Sequence, residues 1–122
     1  MEDQLISFET AKLAKEKGFS NKVLYYYDDD KEKKINLNKY GPITKNSNTG
    51  VNSTSAPTQS SLQKWLREVH KIHIMVESFN DDTYWATLVY DFHSGEETEG
   101  DVEDNSYEET LEKALNFALT KI

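Results

Sequence analysis

Three histidines are the side chains of this sequence best suited to metal chemistry. His70 and His73 stand three residues apart, and His93 follows the next apolar segment. Imidazole nitrogens bind zinc and other transition metals, so a site of three histidines is one interpretation. The other is structural: His70 ends a helical pattern, where a positive charge would complement the helix dipole, and His73 lies on the polar side of a strand pattern. We favour the structural interpretation and predict no metal site and no cofactor.

A partial calcium-loop pattern precedes the last helix. Asp101, Glu103 and Asn105 fall at positions 1, 3 and 5 of such a loop, and Glu112 falls at position 12. Ser106, however, stands where the loop requires glycine, and it begins a helix pattern inside the supposed loop. The segment is therefore predicted to be a solvated acidic loop.

The remaining patterns do not favour an enzyme. The chain has no cysteine, which removes disulfides, thiolate metal ligands and a cysteine nucleophile. It has no G-x-S-x-G turn and no glycine-rich phosphate loop, and no carboxylate stands in the apolar setting that acid catalysis uses. We therefore expect no catalytic residues.

Charge and hydropathy limit the partners. The 122 residues carry 14 Lys and Arg against 22 Asp and Glu, a net charge of -8. This excess would repel a phosphate backbone, so nucleic acid is an unlikely partner. No apolar run is long enough to span a membrane, and the N-terminus has no secretion-signal pattern. We predict a cytoplasmic protein whose partner is another protein or a second copy.

The central segment 56–79 combines a helix and a strand. Pro57 and Thr58 mark the helix start, because proline restricts the preceding residue and threonine can accept from the first free amides. Four apolar residues then recur at helical spacing: Leu62, Trp65, Leu66 and Val69. This spacing turns Trp65 inward and Arg67 outward. The period changes to two after residue 71, which indicates a strand.

Two further helices have clear ends. Ser7 can cap the first, and Gly18 can end it in a left-handed conformation. Ser106 can cap the last, with Glu109 three residues on in a capping box. An apolar stripe runs along this last helix: Leu111, Ala114, Leu115, Ala118, Leu119 and Ile122.

Strand patterns complete the fold class. The segments 72–79 and 84–92 predict an antiparallel hairpin. The segment 23–27 predicts an N-terminal strand, and the alternation of Ile35, Leu37 and Tyr40 before Gly41 indicates a second short one. The segment 93–105 reads as an acidic loop. We predict an α+β fold in which about three helices pack on an antiparallel sheet. Residues 1–122 would form a single domain with a mobile polar loop at about 44–55.

Aromatic residues are the candidate contact residues. Tyr25, Tyr26 and Tyr27 are consecutive, so their rings fall on both faces of the predicted strand, and Trp85 lies in the hairpin. Either the helices and a loop cover these rings, or some of them form a protein-binding face or a dimer interface.

Two resemblances follow from longer stretches. The segments 7–19 (SFETAKLAKEKGF), 56–59 (APTQ) and 62–68 (LQKWLRE), with the closing Tyr107-Glu108-Glu109 helix, resemble a small uncharacterised protein family of Bacteroides-type bacteria and their phages or mobile elements. That resemblance implies a phage or mobile-element context and no particular activity. The hairpin followed by 106–115 (SYEETLEKAL) is similar to the tail of HicB-type antitoxin domains.

Three functional hypotheses result. The first is a non-enzymatic protein of phage or mobile-element origin that acts through protein–protein contacts. The alternative is a HicB-like antitoxin or regulatory module. The third is a small enzyme of an unrecognised kind.

Overall fold

The computed structural model describes residues 4–28, 35–37, 48, 53–79, 84–100 and 106–122. It divides into two compact units, Met1–Thr58 and Gln59–Ile122, which are described in turn. The described residues form three helices and two antiparallel three-stranded sheets, which confirms the predicted α+β class. The strands lie in two sheets rather than one, because the N-terminal strands pair among themselves. This division does not test the prediction of a single domain.

The helix of the first unit has the predicted ends. Helix α1 spans Phe8–Glu16, and the hydroxyl of its cap, Ser7, accepts from the amide of Thr10. Gly18 has a φ of 91°, and the amide of Phe19 donates to the carbonyl of Ala14 at 3.0 Å. A left-handed glycine with this bond defines a Schellman ending. Short-range sequence signals therefore determine both ends of α1.

The sheet of the first unit has the order β2-β1-β3, with β1 at Tyr25–Asp28, β2 at Ile35–Leu37 and β3 at Ser53–Ser55. A mobile loop is predicted at about 44–55, whereas residues 53–55 form strand β3. Of residues 44–52, the structure describes Asn48 alone. Asn48 accepts from the amide of Ser55 at 2.7 Å and donates to the carbonyl of Phe19 at 2.8 Å. Strand β3 contains no apolar residue, so it is stabilised by backbone hydrogen bonds to β1 and by the Asn48 side chain.

The second unit contains helices α2, Gln59–Val69, and α3, Tyr107–Thr120. The amide nitrogen of the buried Gln59 side chain donates to the Glu108 carbonyl at 2.8 Å and to Glu112 at 3.0 Å, which ties the start of α2 to the first turns of α3. The hydroxyl of Ser106 caps α3 as predicted. Five residues of the predicted stripe are buried: Leu111, Ala114, Leu115, Ala118 and Leu119.

The apolar face of α2 ends one turn earlier than its spacing indicates. Leu62, Trp65 and Leu66 are buried, but Val69 is 56% exposed. Val69 is the last residue of the helix, and Lys71, with a left-handed φ of 58°, turns the chain into the next strand. Among the described residues, neither α2 nor any other helix has the length and apolar content needed to cross a bilayer.

The second sheet has the order β4-β5-β6, with β4 at Ile72–Phe79, β5 at Tyr84–Asp91 and β6 at Glu97–Glu99. Strands β4 and β5 form the predicted hairpin. Strand β6 corrects the predicted acidic loop at 93–105, because Glu97–Glu99 pair with Leu88–Tyr90. Residues 101–105 lie outside the described residues. Two exposed glutamates and one half-buried threonine form this strand, so its pairing is carried by the backbone.

Helices α2 and α3 pack on one face of this sheet. Ile74 and Val89 are directly paired across β4 and β5, and both are buried. Val89 lines a cleft together with Ala114 and Phe117 of α3, and the Trp85 ring contacts the Tyr107 ring at 5.4 Å. Side chains alternate along a strand, so the residues that precede and follow Ile74 and Val89 in sequence belong to the opposite face of the sheet.

Candidate protein-interaction face

The sheet face opposite α2 and α3 is the candidate site, and we call it the open face. Its described residues are His73, Met75 and Glu77 on β4, Tyr84, Ala86, Leu88 and Tyr90 on β5, and Glu97 and Glu99 on β6. None of these side chains is buried. The helix-covered face, by contrast, contains the buried residues Ile72, Ile74 and Val89.

Large apolar groups on and beside the open face are exposed. Met75 is 40% exposed, Tyr84 is 37% exposed, and Phe92, just after β5, is 61% exposed. The ring of Phe92 meets the ring of Tyr90 edge-on, with centroids 4.6 Å apart. Ala86, Leu88 and Tyr90 lie between Tyr84 and Phe92 on the same face of the sheet, so the apolar side chains continue along it. Exposed apolar surface of this kind commonly marks a site that another protein covers.

The strand register orders the open face into rows. Glu97, Tyr90 and His73 lie side by side in one row, and Glu99, Leu88 and Met75 form the next. A third row pairs Ala86 with Glu77. The central strand therefore presents an apolar line, and the two outer strands carry carboxylates.

Of the four aromatic residues predicted as contact residues, Tyr27 and Trp85 make described ring contacts. Tyr27 donates its hydroxyl to the carbonyl of Ile6 at 2.6 Å and packs edge-on against Phe8. Trp85 is half-buried on the helix-covered face, against Tyr107.

Tyr25 and Tyr26 are also half-buried, on β1 in the middle of the first sheet. Their role as contact residues remains a prediction. Met75 and Tyr84, the exposed large apolar residues of the open face, are not among these four, although the period-two pattern of the hairpin contains them. Alternation distinguishes two faces, but it does not tell which one the helices cover.

The structure brings two of the three histidines near one another. The ring of His70 lies against Trp65, with centroids 4.6 Å apart, and its Nε2 is buried without a hydrogen-bond partner among the described residues. Burial lowers the pKa of His70, and the charge of His93 lowers it further. His73 lies on the open face instead, paired with Tyr90. In the part of the chain that the structure describes, no three histidine, cysteine or carboxylate side chains are placed to hold a metal ion.

The lowered pKa of His70 predicts a pH-dependent stability. Below about 6.5, the ordinary pKa of histidine, the unfolded chain takes up a proton that the folded chain resists. The free energy of unfolding should therefore decrease as the pH falls from 6.5 towards the lower folded pKa of His70. Denaturant unfolding at a series of pH values measures this change in the free energy of unfolding.

Two variants make this result specific. His70→Gln should remove the slope below pH 6.5, whereas His73→Gln should keep it. Asp91 titrates in a separate, lower pH range. The backbone amide of His93 donates to the Asp91 carboxylate and lowers its pKa, so the stability that Asp91 contributes is lost only below about pH 3.8. A slope that persists in His70→Gln would contradict the assignment.

A cleft lies on the helix-covered side of the second sheet. It has a volume of about 260 Å³ and lies between α3 and strands β5 and β6. The polar side chains on this side are those of Thr87, Thr98, Thr110 and Lys113, and the end of strand β6 at Glu99 also lines the cleft. The hydroxyl of Thr110 already donates to the carbonyl of Ser106 at 2.9 Å. This lining contains no histidine or serine and thus no pair of nucleophile and imidazole base.

Comparison of the chain with protein-family models, with curated proteins and with solved structures finds no significant match in any of the three. The resemblances to the Bacteroides-type family and to HicB-type antitoxins therefore remain predictions. The structure places β6 between the hairpin and α3, so the strand pair is not followed directly by the helix.

Proposed function

We propose that the protein acts by binding another protein through the open face. The single observation that carries the proposal is the asymmetry of the second sheet. Two helices bury Ile74 and Val89 on one face, while Met75, Tyr84 and Phe92 stay exposed on or beside the other. Covering such a face releases water from apolar surface, and this release provides the driving force for association.

The non-enzymatic hypothesis fits this site better than catalysis does. The described part of the open face offers apolar contact area and carboxylates on a sheet, which are groups suited to contact with a protein surface. A phage or mobile-element origin and a cytoplasmic location remain expectations from the sequence.

Capture from a lysate of the source cells, followed by chemical cross-linking, tests the proposal. We expect the wild-type chain to retain a partner that the double variant Met75→Ser, Phe92→Ser loses. Val69→Ser is the matched control, because Val69 is a comparably exposed apolar residue at the end of α2. A partner retained equally by all three chains, or no partner retained by any, would contradict the proposal.

A further inference from the structure

We propose that the open face binds a basic amphipathic segment of its partner, in which an apolar stripe is flanked by lysine or arginine residues. This inference rests on the proposed function and adds the chemistry of the partner. It follows from the position of the carboxylates relative to the apolar rows.

Carboxylates flank the apolar centre of the open face. Glu97 and Glu99 stand on β6 at one edge, and Glu77 stands on β4 at the other edge. All three are exposed, and none makes an ion pair with another described residue. On the central strand, Tyr90 and Leu88 lie beside Glu97 and Glu99, and Ala86 lies beside Glu77. A complementary surface therefore carries apolar side chains in the middle and cations on both sides.

Among the described residues, no cationic side chain forms an ion pair with these three carboxylates. His73 is the only described residue of the open face with a basic side chain. The ammonium of the nearby Lys71 donates to the carbonyl of Glu68 at 3.0 Å. The net charge of -8 adds a long-range attraction for a positive partner and a repulsion between two copies of the chain. A basic partner is therefore favoured over self-association.

The width of the open face suits a segment rather than a whole domain. Its outer strands are about 10 Å apart, since neighbouring strands in a sheet are separated by about 4.8 Å. One α-helix with its side chains is about 10 Å across. A single amphipathic helix can thus cover the apolar rows and place cations over both edges.

Peptides selected from a random display library on the immobilised 122-residue chain serve as the probe. We expect the selected peptides to be rich in lysine or arginine next to apolar residues. Their binding should be about tenfold weaker to the triple variant Glu77→Gln, Glu97→Gln, Glu99→Gln, because each exposed ion pair contributes only modestly. Added salt should weaken binding to the wild-type chain more than to this variant.

A second triple variant controls for net charge: Glu9→Gln, Glu16→Gln, Glu68→Gln removes the same charge from exposed positions outside the open face. It should bind the peptides within about twofold of the wild-type chain, because exposed charges that do not contact the peptide are screened by solvent and salt. Equal binding to both triple variants would overturn the inference.

The outcomes separate the two proposals. Binding that is lost in Met75→Ser, Phe92→Ser but unchanged in the open-face triple variant contradicts the basic partner and supports the protein-binding function. Peptides whose binding depends on neither set of residues contradict both. A solution mass that shows dimers of the wild-type chain but monomers of Met75→Ser, Phe92→Ser would also overturn the basic partner, because a second copy would then occupy the face.

Discussion

Replacement of Trp65 by alanine is expected to lower the free energy of unfolding by about 3 to 5 kcal/mol, the cost of removing a large buried aromatic side chain. Trp65 is only 5% exposed and lies on α2 between the buried residues Leu62 and Leu66. Its ring also contacts His70. The substitution therefore leaves a cavity on the inner side of α2 and uncovers the imidazole. Denaturant unfolding followed by circular dichroism measures the loss.

Two comparisons make this first prediction specific. Val69→Ala, one turn further along α2, should cost no more than about 0.5 kcal/mol, because its side chain is 56% exposed. In a folded Trp65→Ala chain, the pKa of His70 should rise towards 6.5, because the indole no longer shields the ring. A Trp65→Ala chain as stable as the wild type would show that the ring does not contribute to the core.

Introduction of aspartate at Val89 is expected to lower the free energy of unfolding by about 3 kcal/mol or more, because it replaces a core side chain by a carboxylate on the face that α3 covers. Val89 is 5% exposed, opposite Ile74, on the face that α3 covers. Aspartate at the adjacent Leu88 should cost only about 1 kcal/mol, since Leu88 is half-buried on the open face and the carboxylate can stay in water.

This adjacent pair tests the assignment of the two sheet faces. Both substitutions place the same side chain in the same strand, so strand propensity and the change in net charge cancel in the comparison. The measurement is thermal unfolding of the two variants beside the wild-type chain. Equal losses of stability, or a greater loss at Leu88, would contradict the assignment of Val89 to the covered face and of Leu88 to the open face.

Local signals predicted the parts of the fold that depend on neighbouring residues. Ser7, Gly18 and Ser106 act through bonds to amides and carbonyls within one helical turn, so their roles are readable from the sequence. The hairpin was predictable for the same reason, because its strands are joined by a short connection and share a period of two.

Strands β3 and β6 were missed because their side chains carry no strand signal. Ser53–Ser55 are all polar, and Glu97–Glu99 contain two exposed carboxylates. Each strand is held by backbone bonds to a partner strand whose position depends on the fold. Tertiary pairing therefore overrides the local preference for a polar loop.

The candidate site was predictable only in part. The observed register pairs Met75 with Leu88 and Ile74 with Val89, and these two pairs are similarly apolar. Only the packing of α3 shows that the second pair is covered and the first is not. The sequence therefore predicts an aromatic and apolar hairpin, while the choice of its interacting face requires the tertiary structure.

Methyl-group NMR of the chain bound to a selected peptide tests the central claim most directly, because methyl signals distinguish the two faces of a sheet where backbone signals do not. We predict intermolecular contacts and the largest shift changes at Met75, Ala86 and Leu88 of the open face, with smaller changes at Ile74 and Val89. Contacts centred on Ile74, Val89 or α3, with Met75 and Leu88 unchanged, would contradict binding through the open face.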